Sequence, residues 1–166
     1  MNGCVLLFPG QGAQKVGMAA DVCDQYDVAR TTFEHAAEAI GIDLARICSQ
    51  GPDEELQRTD LCQPAILTAS IAVLRALEHE LGRAVQARAA AGLSLGEYTA
   101  LVAAGALELT DAVRLVYARG TCMQEACDAN PGTMYSVIGL EDAQVEDACR
   151  RVQQDVTMAR RSLGYF

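Results

Sequence analysis

A serine between two glycines, Gly92-x-Ser94-x-Gly96, is the first place in the sequence where residue types and spacing suggest chemistry. Glycines two before and two after a serine let the backbone turn sharply from a strand into a helix. Such an elbow projects the hydroxyl at the helix N-terminus. There the helix dipole and the unpaired N–H groups favour negative charge developing on an oxygen, as when a hydroxyl attacks a carbonyl carbon. The N–H of Leu95, directly after the serine, is the donor expected to meet that oxygen. The same pattern also arises by chance in glycine-rich turns, so it needs a strand before it and a helix after it.

Two further features could serve a serine of this kind. Pro9-Gly10-Gln11-Gly12-Ala13-Gln14 is a glycine-rich loop after the apolar run Cys4 to Phe8, and taken alone it reads as a turn after a strand. Arg119 falls at helical spacing with Leu115, Val116, Cys122, Met123 and Ala126, an apolar face on which a guanidinium is costly to bury without an anion. A bidentate carboxylate, an internal salt bridge and a stem that snorkels to water are the three ways of satisfying it. Glu97 reads as an acid complementing a helix dipole, Tyr98 as a packing aromatic, and Gln63 as a polar residue opening a buried helix. His35 and His79 are the only histidines, both in helical runs, and read as surface or packing residues.

The elements that must position these residues follow from periodicity. Cys4 to Phe8 is a short continuous apolar run stopped by Pro9-Gly10, the pattern of a buried strand in a parallel sheet. Between Met18 and Ser49 apolar residues recur at helical spacing, with Val28, Phe33, Ala36, Ala37 and Ile40 on one face and Gly41 able to close the helix. Pro64 suits a first helical turn, and from Ile66 to Leu81 apolar residues point nearly all round, which predicts a long buried helix ended by Gly82. Val85 to Ala91 predicts a strand and Glu97 to Ala104 a helix, so Ser94 falls at a strand-to-helix turn. Thr110 is placed as the N-cap of a helix reaching about Ala129, where Asn130-Pro131-Gly132 breaks it. A strand over Thr133 to Ile138 and an amphipathic helix over Glu141 to Val152 complete the reading. Strands alternating with helices predict an α/β fold with a parallel sheet.

Composition sets limits on function. The 166 residues suffice for one domain, or part of one, with a core of its own. The 13 basic and 22 acidic residues give a net charge of -9, which disfavours a nucleic-acid partner because phosphates demand a basic surface. Seven scattered cysteines with no C-x-x-C pair suggest neither a metal site nor a disulfide framework, and fit a reducing, cytoplasmic setting. The run Val5 to Phe8 is too short for a signal peptide, and no window approaches a membrane span.

Four motifs in register carry a resemblance. Phe8-Pro9-Gly10-Gln11-Gly12-Ala13-Gln14, Gln63-Pro64-Ala65, Gly92-Leu93-Ser94-Leu95-Gly96-Glu97-Tyr98, and Arg119-Gly120 with Met123-Gln124 occur in the order found in malonyl-CoA:acyl-carrier-protein transacylases. The chain resembles the N-terminal half of that family over residues 4 to 150. The resemblance implies a hydrolase-like α/β core over residues 1–130, and over 131–166 the start of an inserted ferredoxin-like subdomain. It implies ping-pong transfer of a malonyl group from malonyl-CoA to acyl carrier protein in fatty-acid synthesis. Coenzyme A enters as a substrate thioester, and neither a cofactor nor a membrane is called for. It further implies Ser94 as the acylated nucleophile, the backbone N–H groups of Gln11 and Leu95 as the oxyanion hole, and Arg119 as the partner of the malonyl carboxylate.

The sequence departs from the family pattern in two places. Leu93 stands where members commonly carry histidine, a residue that is not the general base. The histidine that deprotonates the serine lies in the family's second half, which has no match here. The tail from Val156 to Phe166 also has no counterpart, and a truncated or frame-altered product is the expectation. Serine without a base is a poor nucleophile, so impaired transfer and a non-catalytic remnant are competing expectations. A Ser-Asp hydrolase of the patatin type would need a late Asp-Gly pair, which the sequence lacks.

Overall fold

The computed structural model describes residues 3–129 and 137–162, with side chains through Gln154. The chain divides into two compact units, residues 1–130 and 131–166. In the first, strand β1 (Cys4–Phe8) leads through helices α1 (Ala20–Gln25), α2 (Asp27–Ile40), α3 (Leu44–Gln50), α4 (Asp53–Gln57) and α5 (Thr59–Leu81) to strand β2 (Ala87–Gly92). Helices α6 (Gly96–Ala103) and α7 (Leu109–Ala129) follow. The two strands pair in parallel, with Val5 opposite Ala89 and Phe8 opposite Gly92, so the fold is α/β with a parallel sheet.

The core is helical. Helix α5 packs against α2 and α7 and buries a face running from Asp60 to Ala76. Contrary to the expectation that no window approaches a membrane span, it has the length and apolar character of one, yet most of it is inside the protein, as a core helix requires. Around it Phe33, Leu44, Ile47, Leu56, Ile66, Leu67, Ile71, Val113 and Val116 are buried in one cluster. The polar Thr32 joins them at no cost in unpaired groups: its hydroxyl donates to the Val28 carbonyl at 2.7 Å and accepts from Arg75 Nη1 at 3.0 Å. Helices α2 and α5 close at Gly41 and Gly82 in left-handed conformations.

Several expectations are corrected. The buried stripe of α2 is Ala29, Thr32, Phe33 and Ala36, with Val28 only half-buried at its edge. Pro64 lies inside α5, because the helix begins earlier, at Thr59. Thr110 sits within the first turn of α7, which starts one residue before it at Leu109. Strand β1 is not enclosed on both faces: Val5 and Leu7 are exposed, since β2 is the one strand paired with it among the described residues. The strand expected over 133–138 lies outside the described residues up to 136, and 137–138 are irregular.

In the second unit helix α8 (Asp142–Ser162) is amphipathic and starts with the Glu141 N–H donating to Gln144 Oε1 at 3.0 Å. Ion pairs one turn apart, Arg150 with Glu146 and Arg151 with Asp147, line its surface.

Candidate active site

The serine elbow has the strand-turn-helix setting it needs. Strand β2 ends at Gly92, α6 begins at Gly96, and the Gly96 N–H donates to the Leu93 carbonyl at 2.9 Å across the turn. Ser94 takes φ 57°, a left-handed backbone that costs a non-glycine residue about 1–2 kcal/mol and lifts its side chain out of the turn. Its hydroxyl is exposed.

Both flanking glycines are required by contact rather than by dihedral angle. A Cβ on Gly92 would lie 1.9 Å from the Gly96 carbonyl carbon, and one on Gly96 would lie 2.5 Å from the Phe8 carbonyl oxygen. The second contact shows how the sequence-distant loop reaches the elbow. The end of β1 is pressed against the start of α6, and the Leu93 N–H donates to Phe8 O at 3.1 Å. Gly10 is equally tight, with a Cβ there 2.8 Å from the Leu93 carbonyl oxygen. Gln11 therefore follows a loop held at the serine turn, and its side chain is tied away from that turn by donating to Thr59 Oγ1 at 3.3 Å. Neither the Gln11 nor the Leu95 backbone N–H is a donor in any hydrogen bond among the described residues.

Arg119 reaches the elbow from α7. Its Nη2 donates to Ser94 Oγ at 2.8 Å, and its Nη1 donates to Gln63 Oε1 at 2.6 Å. The helix face assigned to it by periodicity needs correction. The buried face of α7 is Leu109, Ala112, Val113, Val116 and Gly120, whereas Leu115, Cys122 and Ala126 are exposed. Arg119 stands half-buried at the border of that face, because α5 contacts the side centred on Val116 and Gly120. A Cβ on Gly120 would lie 2.6 Å from the Thr59 carbonyl oxygen, so α7 crosses the start of α5 in close contact. Gln124 completes the crossing by accepting from the Thr59 N–H at 3.0 Å.

Ser94 and Arg119 are thus brought together, and the Gln11 loop and Leu95 stand beside them. No histidine does. His35 is exposed on α2, and His79 meets the Tyr26 ring edge-on with centroids 6.0 Å apart. The residue that sequence reasoning passed over is Gln63. Its signal was a glutamine just before a helical stretch that is apolar nearly all round, a place where a polar side chain needs a specific partner.

Chemically, the arrangement offers an exposed hydroxyl at a helix start, two free N–H groups in its neighbourhood and a guanidinium in hydrogen-bond contact with it. Among the described residues that guanidinium forms no ion pair. A planar cation with unspent charge beside a serine hydroxyl suits an acyl group that carries its own carboxylate.

Residues 5–162 match the acyl transferase domain family. The malonyl CoA-acyl carrier protein transacylase of Escherichia coli K12 is 46% identical over 154 residues, covering 93% of this chain and 49% of that protein. The crystal structure of an acyl carrier protein S-malonyltransferase from Vibrio cholerae superposes with a TM-score of 0.79 at 45% identity, over 90% of this chain and 48% of the other. A malonyl-transacylase solved in complex with a type II polyketide-synthase acyl-carrier protein gives a TM-score of 0.77 at 40% identity, over 93% of this chain and 49% of that one. The chain spans about half the length of the relatives it matches.

Proposed function

The chain belongs to the acyl transferase domain family, and on that premise we propose that it serves the transfer of a malonyl group from malonyl-CoA to acyl carrier protein through an ester on Ser94. The observation that carries this reading is the 2.8 Å contact between Arg119 Nη2 and Ser94 Oγ. A malonyl thioester seated with its carbonyl at Ser94 presents its free carboxylate within reach of Arg119, in place of the serine contact.

In this mechanism Ser94 Oγ bonds to the thioester carbon while the carbonyl oxygen gathers negative charge between the N–H groups of Gln11 and Leu95. The carbon–sulfur bond then breaks, and the proton given up by Ser94 leaves with coenzyme A by way of a base. The phosphopantetheine thiol of the carrier protein repeats the exchange in reverse, restoring the serine hydroxyl. Neither His35 nor His79 stands at Ser94, so the base comes from elsewhere, and a histidine in a segment matching the other half of the relatives fits the role. The reaction supplies malonyl units for fatty-acid synthesis in the cytoplasm. Residues 131–166 contribute to a ferredoxin-like subdomain, a reading supported by the amphipathic character of α8.

The lack of a histidine beside Ser94 among the described residues favours a second reading, a chain that holds the acyl thioester without turning it over. Intact-protein mass spectrometry after incubation with malonyl-CoA separates the two. It should be run on the chain, on Ser94→Ala, and on a version extended with the relatives' second half. Acylation that depends on Ser94, slow in the chain and fast in the extended version, is the expected result. An extended version that gains no acyl group overturns the transfer reading.

A further inference from the structure

Gln63 is wholly buried, yet among the described residues it is the one side chain besides Ser94 that holds the Arg119 guanidinium. Its two ends are distinguished by their partners. Oε1 accepts from Arg119 Nη1 at 2.6 Å, while Nε2 donates to Met123 Sδ at 3.3 Å. Rotating the amide by half a turn would set an NH2 group against a guanidinium, donor facing donor, so the orientation is dictated by the neighbours. Arg119 and Met123 are one turn apart on α7, and Gln63 bridges them from α5. The network therefore depends on the same helix crossing that Gly120 makes possible.

The neutral charge of Gln63 matters more than its shape. A half-buried guanidinium is ordinarily matched by a carboxylate, which satisfies its geometry and cancels its charge together. A glutamine oxygen satisfies the geometry alone. We infer that Gln63 is a positioning and specificity-determining residue that aims Arg119 at Ser94 while leaving its charge free, so that an acyl group bearing a carboxylate is selected over a neutral one. This inference deepens the acyl-transfer reading above and rests on it for the identity of the substrate.

Two substitutions separate aim from charge. Gln63→Leu removes the acceptor and leaves the charge free; Gln63→Glu keeps size and geometry but pairs the charge. In the chain and in its extended version, the measured quantity is the ratio of Ser94 acylation rates with malonyl-CoA and acetyl-CoA. A merely structural defect would slow both substrates alike. Gln63→Leu should lower the ratio about tenfold and Gln63→Glu at least as far, as expected when a charge-assisted hydrogen bond is lost or its cation neutralised. Arg119→Ala sets the floor. A second measurement is independent of acyl transfer: titration with monomethyl malonate, whose single carboxylate matches that of a malonyl thioester, followed by NMR on protein whose fold is checked by circular dichroism. Weakening about tenfold in Gln63→Glu is expected. If the wild-type protein binds the carboxylate in this pattern but no version is acylated by malonyl-CoA, the transfer reading fails and the role of Gln63 stands. A folded Gln63→Glu protein that keeps wild-type carboxylate affinity overturns the inference, as does a wild-type protein that binds none. Should Gln63→Glu fail to fold, unchanged affinity in Gln63→Leu overturns it equally.

Discussion

Arg119 and Ser94, 25 residues apart in sequence, are joined by a 2.8 Å hydrogen bond in which the guanidinium donates to the serine hydroxyl. The bond ties helix α7 to the turn between β2 and α6, and among the described residues no carboxylate pairs with the cation it leaves beside the serine hydroxyl.

Replacing Arg119 should therefore affect anionic and neutral acyl donors differently. Arg119→Ala is expected to slow Ser94 acylation by malonyl-CoA about 100-fold in the extended version, while acetyl-CoA changes little. Arg119→Lys should recover only part of the loss, since an ammonium cannot hold Gln63 and a carboxylate in one plane. Equal losses with both donors would show that Arg119 supports the fold rather than the acyl carboxylate.

The elbow glycines should tolerate no side chain. Gly92→Ala and Gly96→Ala each drive a methyl into backbone, at 1.9 Å and 2.5 Å, and overpacking of this kind costs roughly 3 kcal/mol or more. Gly105→Ala is the control: its φ is 69°, and no atom lies within 4 Å of the added methyl, so strain of about 1 kcal/mol is the whole cost. Urea midpoints for the three variants test the ordering, and a Gly105→Ala midpoint as low as the other two would contradict it.

Burial pushes the Cys48 and Cys62 thiols up from 9.0 to about 12, chiefly because a thiolate there would lose its hydration. Above pH 9 the unfolded chain releases these protons while the folded chain keeps them, so stability is full below pH 9 and declines as pH rises toward 12. Urea melts at pH 8 and pH 10 should show the decline, and Cys48→Ala should make it shallower. Ellman's reagent at pH 8 should modify the exposed Cys4, Cys122, Cys127 and Cys149 quickly, and Cys48 and Cys62 only on unfolding.

Leu7, Val73 and Leu77 are exposed together along an apolar groove of about 370 Å³ between β1 and α5, in which neither Ser94 nor Arg119 takes part. An apolar dye should bind there, and Leu7→Asn with Leu77→Gln should reduce its fluorescence without lowering the urea midpoint, because exposed leucines contribute little to the folded state. Unchanged dye binding would place the apolar surface elsewhere.

The sequence alone determined what depends on local geometry. Gly92 and Gly96 mark the elbow because only glycine lets the backbone approach itself so closely, and Gly41 and Gly82 mark helix ends because a left-handed residue favours glycine. The apolar run through α5 likewise announced a long helix apolar nearly all round, although its length and composition also suit a membrane span and only its burial in the fold marks it as a core helix. Tertiary structure decided what depends on which surfaces meet. Periodicity told that Arg119 lies on a helix, but the side of α7 that touches α5 is chosen by Gly120 against Thr59, and Arg119 lands at its border. The exposure of Val5 and Leu7 likewise followed from the pairing of β1, which its own residues do not specify. Gln63 looked like a helix-opening polar residue because its partners, Arg119 and Met123, lie 56 and 60 positions away, and a hydrogen bond between distant residues leaves no periodic trace in the chain.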